Sequence, residues 1–184
     1  MKKFLITTLI LTSVAVSGYK RPETYTINSE NNAALHNNLG VNYLNENNFY
    51  PAIQEFKIAI SLSPETQASA VYYNNLGECY MKLGHPELAQ DCFERALRLF
   101  TLNFKYYQNL AQCYWQLGYA DEQIKRSAAD KNPLALILRG LLYEYQGDTV
   151  RAITTLDEFV AKEPDIMITS AVKIHLKELV KKTY

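Results

Sequence analysis

The chain repeats itself. The stretch NNLGVNYLNENNFYPAIQEFKIAI, beginning at Asn37, aligns without a gap on NNLGECYMKLGHPELAQDCFERAL, beginning at Asn74. Both copies join Leu to Gly (Leu39-Gly40 and Leu76-Gly77) and place an aromatic three residues later (Tyr43, Tyr80). Both set Ala twelve residues after the Gly (Ala52, Ala89), then Phe (Phe56, Phe93) and a second Ala (Ala59, Ala96). Self-similarity of this length restricts the fold to stacked copies of one supersecondary unit, because a single copy cannot bury its own apolar face. Leu, Gly and Tyr at i, i+1 and i+4 mark one face of a first helix. Ala, Phe and Ala at i, i+4 and i+7 mark one face of a second. Gly and Ala let the two backbones come close, and Tyr and Phe fill the space beside the crossing. Between the helices lie Asn45 to Asn48 in one copy and Gly84-His85-Pro86 in the other. Pro86 suits a first helical turn, where its missing N–H is not needed. Pro64 closes the first unit because it cannot continue a helix.

Two further copies follow. The third begins near Phe104 with Tyr107, Leu110, Ala111 and Tyr114, so Ala stands in the Gly place. Its second half departs from the pattern: Gln123 and Ser127 occupy the Ala and Phe places, and a shortened helix is expected. The fourth is clear again in Leu136, Gly140, Tyr143, Gly147, Ala152, Leu156 and Pro164, with Arg139 for Leu and Phe159 for the second Ala. The Gly-equivalent positions 40, 77, 111 and 140 are 37, 34 and 29 residues apart. Three residues are therefore inserted after the first copy and five are missing from the third.

This pattern resembles the tetratricopeptide repeat family. The resemblance covers residues 33–166 and divides them into 33–66, 70–103, 104–132 and 133–166. It implies an all-α, right-handed superhelical solenoid of about four helix pairs. Residues 167–184 add a helix with Ile168, Val172, Leu176 and Leu179 on one face and Lys173, Lys177 and Lys181 on another, as a terminal cap requires. The resemblance also implies that the first helices line a concave groove for a peptide or another protein. The family's groove positions fall here on Asn37, Val41, Leu44 and Asn45, then on Val71, Asn74, Glu78, Met81 and Lys82. They continue on Lys105, Gln108, Gln112, Trp115 and Gln116, and on Leu134, Ile137, Leu141 and Glu144. The candidate binding set is Asn37, Asn74, Met81, Lys105, Gln108, Gln112 and Trp115. Amides there can pair with a peptide backbone, and Trp is the residue type most enriched at binding hot spots. The chaperone-binding members' carboxylate clamp is matched only at Asn75 and Lys105. Asn38, Asn75 and Asn109 recur at one repeat position, which points to a structural task. Tyr43, Tyr80, Tyr114 and Tyr143 also share one position and are expected in the core.

The first eighteen residues read differently. Lys2 and Lys3 precede an apolar run from Phe4 to Val16, and small residues follow at Ala15, Ser17 and Gly18. That is the layout of a signal peptide, residues 1–18, and the run is short of the roughly 20 apolar residues that span a bilayer. The expected location is exported, periplasmic or secreted, with a retained inner-membrane anchor as the alternative. Residues 19–32 lack periodicity and read as a flexible leader. Without Lys2 and Lys3 there are 17 basic and 19 acidic residues, a net charge of −2. Such a balance argues against a nucleic-acid partner and leaves membrane contact to an uncleaved segment.

Three cysteines, Cys79, Cys92 and Cys113, are an odd number, and Cys79 and Cys113 hold equivalent places in neighbouring copies. Stacked helices lie roughly 8–10 Å apart, beyond disulfide reach of about 7 Å, so all three read as small buried residues. His36, His85 and His175 are scattered, whereas a metal site needs three or four converging ligands. Asp121-Glu122 at a helix start suits the helix dipole better than a general base. The expectation is a non-enzymatic scaffold with no cofactor and no metal, whose partner is a protein or peptide. Self-association through the irregular third copy is the further possibility.

Overall fold

A computed structural model describes residues 29–183. The expected signal peptide and most of the expected leader lie outside them. Nine helices and no strands occur among the described residues: α1 (Ser29–Asn45), α2 (Phe49–Leu62), α3 (Gln67–Lys82), α4 (Pro86–Leu99), α5 (Phe104–Gln116), α6 (Ala120–Ala129), α7 (Ala135–Tyr145), α8 (Thr149–Lys162) and α9 (Thr169–Thr183). The solenoid expected from the repeat is therefore the fold. Helix α1 already includes residues 29–32, which the sequence reading leaves in the leader.

Each helix pair turns the same way. One residue per turn takes a left-handed backbone: Asn47 (φ 59°), Gly84 (φ 76°), Gly118 (φ 74°) and Gly147 (φ 79°). Gly adopts that conformation freely and Asn tolerates it. After it, the N–H groups of Asn48, His85, Tyr119 and Asp148 each reach back five residues to the carbonyls of Tyr43, Tyr80, Tyr114 and Tyr143, at 2.8–2.9 Å. These bonds satisfy orphan carbonyls at the end of each first helix. Helix starts are secured by a reciprocal Thr66–Ser69 capping box, by Asn103 accepting from the Lys105 N–H, and by Asp148 accepting from the Arg151 N–H.

The crossing of the two helices in a pair is set by a void on one side and a ring on the other. A methyl group at Gly77 would sit 2.6 Å from a ring carbon of Phe93, and one at Gly40 would sit 2.6 Å from a ring carbon of Phe56. Phe56 and Phe93 are almost fully buried there. Gly140 meets Leu156 in the same manner, at 2.7 Å. A side chain at any of those three places would have to displace the Phe or Leu side chain opposite it.

The third pair is built differently. Ala111 is fully buried in the Gly place, and Ser127 stands in the ring place of the next helix. Gln123, too long for the Ala place, is also buried. Helix α6 is ten residues long where α2, α4 and α8 have fourteen. It packs only narrowly on α5 and more broadly on α7, and α5 turns its free flank to α7. The short third copy thus exchanges a partner helix within the pair for contact with the next pair.

The ends of the row also differ. Tyr72 and Leu76 of α3 are buried, but their counterparts Leu35 and Leu39 of α1 are 56% and 38% exposed. Tyr43, expected in the core, is 36% exposed for the same reason: no helix among the described residues covers that flank. At the other end α9 buries Val172 and Leu179 and keeps Lys173, Lys177 and Lys181 in solvent. Cys79, Cys92 and Cys113 are buried free thiols, and burial pushes each up to about 12.

Candidate functional site

The first helices carry a chain of side-chain amides. The Asn75 amide donates to the Asn37 Oδ1 at 3.0 Å, and the Asn109 amide donates to the Asn74 Oδ1 at 2.8 Å. In each case the sixth residue of one repeat reaches the fifth residue of the repeat before it. Glu78 fastens the second step, because its Oε1 accepts from Asn74 at 3.1 Å and from Asn109 at 2.8 Å. Lys105 brings its ammonium to 3.8 Å from the same oxygen. Buried amides stranded without partners would cost about 1–3 kcal/mol each, so the ladder fixes the register between neighbouring repeats. It stops at the fourth pair, where Ile137 and Leu138 take the two places.

Beside this ladder a cleft of about 440 Å³ opens between α3 and α5. Its walls include Glu78, Met81, Lys82, Lys105, Asn109 and Gln112. One anchored amide (Asn109), the exposed Gln112 amide, one carboxylate and two lysines line it beside a thioether, a surface able to hydrogen-bond an extended backbone and seat one apolar side chain. A second depression of about 340 Å³ is lined by Gln108, Leu141, Glu144, Tyr145 and His175. There His175 of α9 is 2.6 Å from a Glu144 carboxylate oxygen, and its ring tilts against Phe104 with centroids 5.2 Å apart. A matching His36–Glu55 contact of 2.6 Å ties α1 to α2.

The residues expected at the site separate into groups. Met81, Lys105 and Gln112 meet in the first cleft and Gln108 lines the second. Trp115, 45% exposed, follows Gln112 by three residues on α5 without lining either. Asn74 is only 4% exposed and belongs to the ladder, as does Asn37. Glu78 and Lys82 occupy groove positions but fall outside the candidate set; the signal for Glu78 was its place four residues after Asn74. His175 and Tyr145 carried no signal, since only the packing of α9 brings His175 to the groove. No group of His, Cys, Asp and Glu able to hold a metal occurs among the described residues, and no helix among them is long and apolar enough to cross a membrane.

Models of the tetratricopeptide repeat match residues 33–66, 70–100, 104–125 and 134–165, well over half of the chain. The chain belongs to the tetratricopeptide repeat family. The third match ends at residue 125, inside α6, where the tetratricopeptide pattern loses its ring. No curated protein sequence matches the chain. Among solved structures, a crystal structure of MamA is 24% identical over 73% of this chain and 80% of that one, with a TM-score of 0.51. A second MamA structure is 20% identical over 82% and 87%, with a TM-score of 0.50. A tetratricopeptide repeat protein from Parabacteroides merdae is 17% identical over 82% of this chain and 60% of that one, also at 0.50. At these identities the likeness is one of fold.

Proposed function

We propose that the protein is a non-catalytic scaffold that binds a polypeptide segment along its concave face, and that it does so in the cell envelope after export. The observation that carries the binding reading is the cleft between α3 and α5. Met81, Lys105 and Gln112 converge there on a framework held rigid by Asn74, Asn109 and Glu78. A site whose polar groups are already in place loses little conformational freedom on binding. The location rests on residues 1–18, with Lys2, Lys3 and the run from Phe4 to Val16 as its support.

The test is affinity capture from an envelope fraction, with residues 19–184 as bait beside a Lys105→Ala/Gln112→Ala variant. Both substituted side chains are exposed, so helicity is expected to survive. A protein retained by the wild type and lost with the folded variant supports the reading. Equal capture by both removes the cleft from it. Mass measurement of the native protein's N-terminus tests export, since an intact Met1 would place the first segment in the final product as an anchor.

A second reading, self-association, draws on α1, where Leu35, Leu39 and Tyr43 form an apolar stripe that no helix among the described residues covers. Light scattering that returns a monomer mass at high concentration would remove it.

A further inference from the structure

The irregular third pair encloses a crevice that shares no residue with the concave cleft. It has a volume of about 230 Å³ and lies among Leu97 of α4, Tyr107 of α5, Gln123, Arg126 and Ser127 of α6, and Leu134 and Leu138 at α7. Elsewhere in the row the place of Ser127 is taken by Phe56, Phe93 or Leu156, each almost fully buried. Cavities of about 150 Å³ already admit one benzene ring. The size of the crevice therefore suits one aromatic ring.

Its floor is polar. Tyr107 is 6% and Gln123 9% exposed, and neither side chain has a hydrogen-bond partner among the described residues. The Tyr107 hydroxyl is not sealed off, since no fully enclosed side-chain N or O lacks a partner. Tyr114, about two turns further along α5, shows the ordinary solution by donating to Glu94 at 2.9 Å. Burial pushes the Tyr107 phenol up, with no charged or hydrogen-bonding neighbour contributing. Arg126 stands at the rim, exposed and without an ion pair among the described residues. Guanidinium groups already lie over rings in this chain, Arg95 over Tyr73 at 5.2 Å and Arg151 over Tyr143 at 4.7 Å. The rim loop is held by its own bonds, the Asn132 N–H to Asp130 and the Leu134 N–H to Asn132.

From these features we infer that the crevice of the third pair binds a single aromatic ring bearing a hydroxyl, a phenol. A hydrocarbon ring would fill the space but strand Tyr107 and Gln123, whereas a phenol hydroxyl can both donate and accept between them. Arg126 can cover the ring's outer face. The phenol could be a tyrosine side chain of a polypeptide or a free small molecule. This inference does not rest on the concave cleft.

The experiment is an NMR titration of residues 19–184 with p-cresol, toluene and a capped Gly-Tyr-Gly peptide. p-Cresol is expected to shift the amides around Tyr107 and across residues 123–138 while leaving those around Met81 unmoved. Toluene is expected to bind about tenfold more weakly, the usual scale for a buried polar group left unpaired. Tyr107→Phe should cost p-cresol about tenfold and leave toluene unaffected, and Gln123→Leu should do the same. If Gln123→Leu disturbs α6, Tyr107→Phe alone carries the comparison, because it keeps the ring. Peptide binding at the same amides identifies a polypeptide source, and p-cresol binding without the peptide identifies a free phenol. Equal affinity for p-cresol and toluene, shifts confined to other regions, or no shift overturns the inference.

Discussion

The second and third helix pairs begin alike and finish differently. Helices α3 and α5 share a buried tyrosine at the opening position (Tyr73, Tyr107), a buried cysteine (Cys79, Cys113), and the same turn, closed on Tyr80 and Tyr114. Their second helices part ways: α4 presents Ala89, Phe93 and Ala96 to its partner, while α6 presents Gln123 and Ser127. With the ring gone and a long amide in the alanine place, α6 cannot close on α5, and α7 takes up part of the exposed flank. The first helix of a repeat thus survives the loss of its companion's signature, because its other neighbours still hold it.

The sharpest break of this contrast is at the ring position. Phe93→Ala should cost about 3–5 kcal/mol, the range for emptying a buried aromatic site. Ser127→Ala, at the same repeat position, should cost only about 0.5–1.5 kcal/mol, the scale of its one hydrogen bond to the Ile124 carbonyl. Urea unfolding midpoints measure both, and similar losses would mean that the two pairs are not built differently after all. Next comes the glycine place. Gly77→Ala should destabilise by about 1–3 kcal/mol through overpacking against Phe93, although alanine is the better helix former by about 1 kcal/mol. Ala111→Gly runs the other way and should lose that helical preference, about 1 kcal/mol, together with one buried methyl group, about 0.8 kcal/mol. Thermal unfolding of the two variants side by side tests this.

A smaller effect separates two asparagines at the same repeat position. Asn109→Ala removes a donor from Asn74 and Glu78 and should cost about 1–3 kcal/mol. Asn38→Ala, exposed at the open end of the ladder, should change stability by about 0.5 kcal/mol or less. A double-mutant cycle of Asn109 with Asn74 would show coupling only if the ladder acts as a unit.

Least in size is a likeness that the comparison should leave intact. Thiols Cys79 and Cys113 are raised from 9.0 to about 12 by burial. In the unfolded chain they lose protons first, so the folded state binds more protons between the two values. Stability should therefore be unaffected below pH 9 and should decline from pH 9 toward about 12. In native buffer at pH 8 both should resist Ellman's reagent equally. Faster labelling of Cys113 would show that the loose α6 also loosens α5.

Much of this was legible because the repeat obeys simple sterics. Leu76-Gly77 with Ala89 and Phe93 states a helix crossing almost completely, since only a void opposite a ring allows that approach. Gln123 and Ser127 announced a defect but not its remedy. That α5 would lean on α7 depends on the lengths of α6 and its loop together, which no local spacing encodes. The site followed the same division. Met81, Lys105 and Gln112 reach one cleft because they sit on regular helices. Asn74 and Asn37 also sit on regular helices, yet their amides turn to neighbours across the stack and bind the frame together. Tyr43 misled because a repeat position describes burial only where a neighbouring helix covers it, and none among the described residues covers that flank of α1.

The two ends of the row give the molecule a direction of growth. At α1 the stripe of Leu35, Leu39 and Tyr43 repeats the surface by which α3 docks onto α2, so a helix pair grafted ahead of it would meet a ready-made seat. At α9, Lys173, Lys177 and Lys181 face outward, and a pair appended there would have to dehydrate three ammonium groups to find purchase. An engineer wishing to lengthen this solenoid should therefore write new repeats before Ser29, and treat the last helix as the full stop.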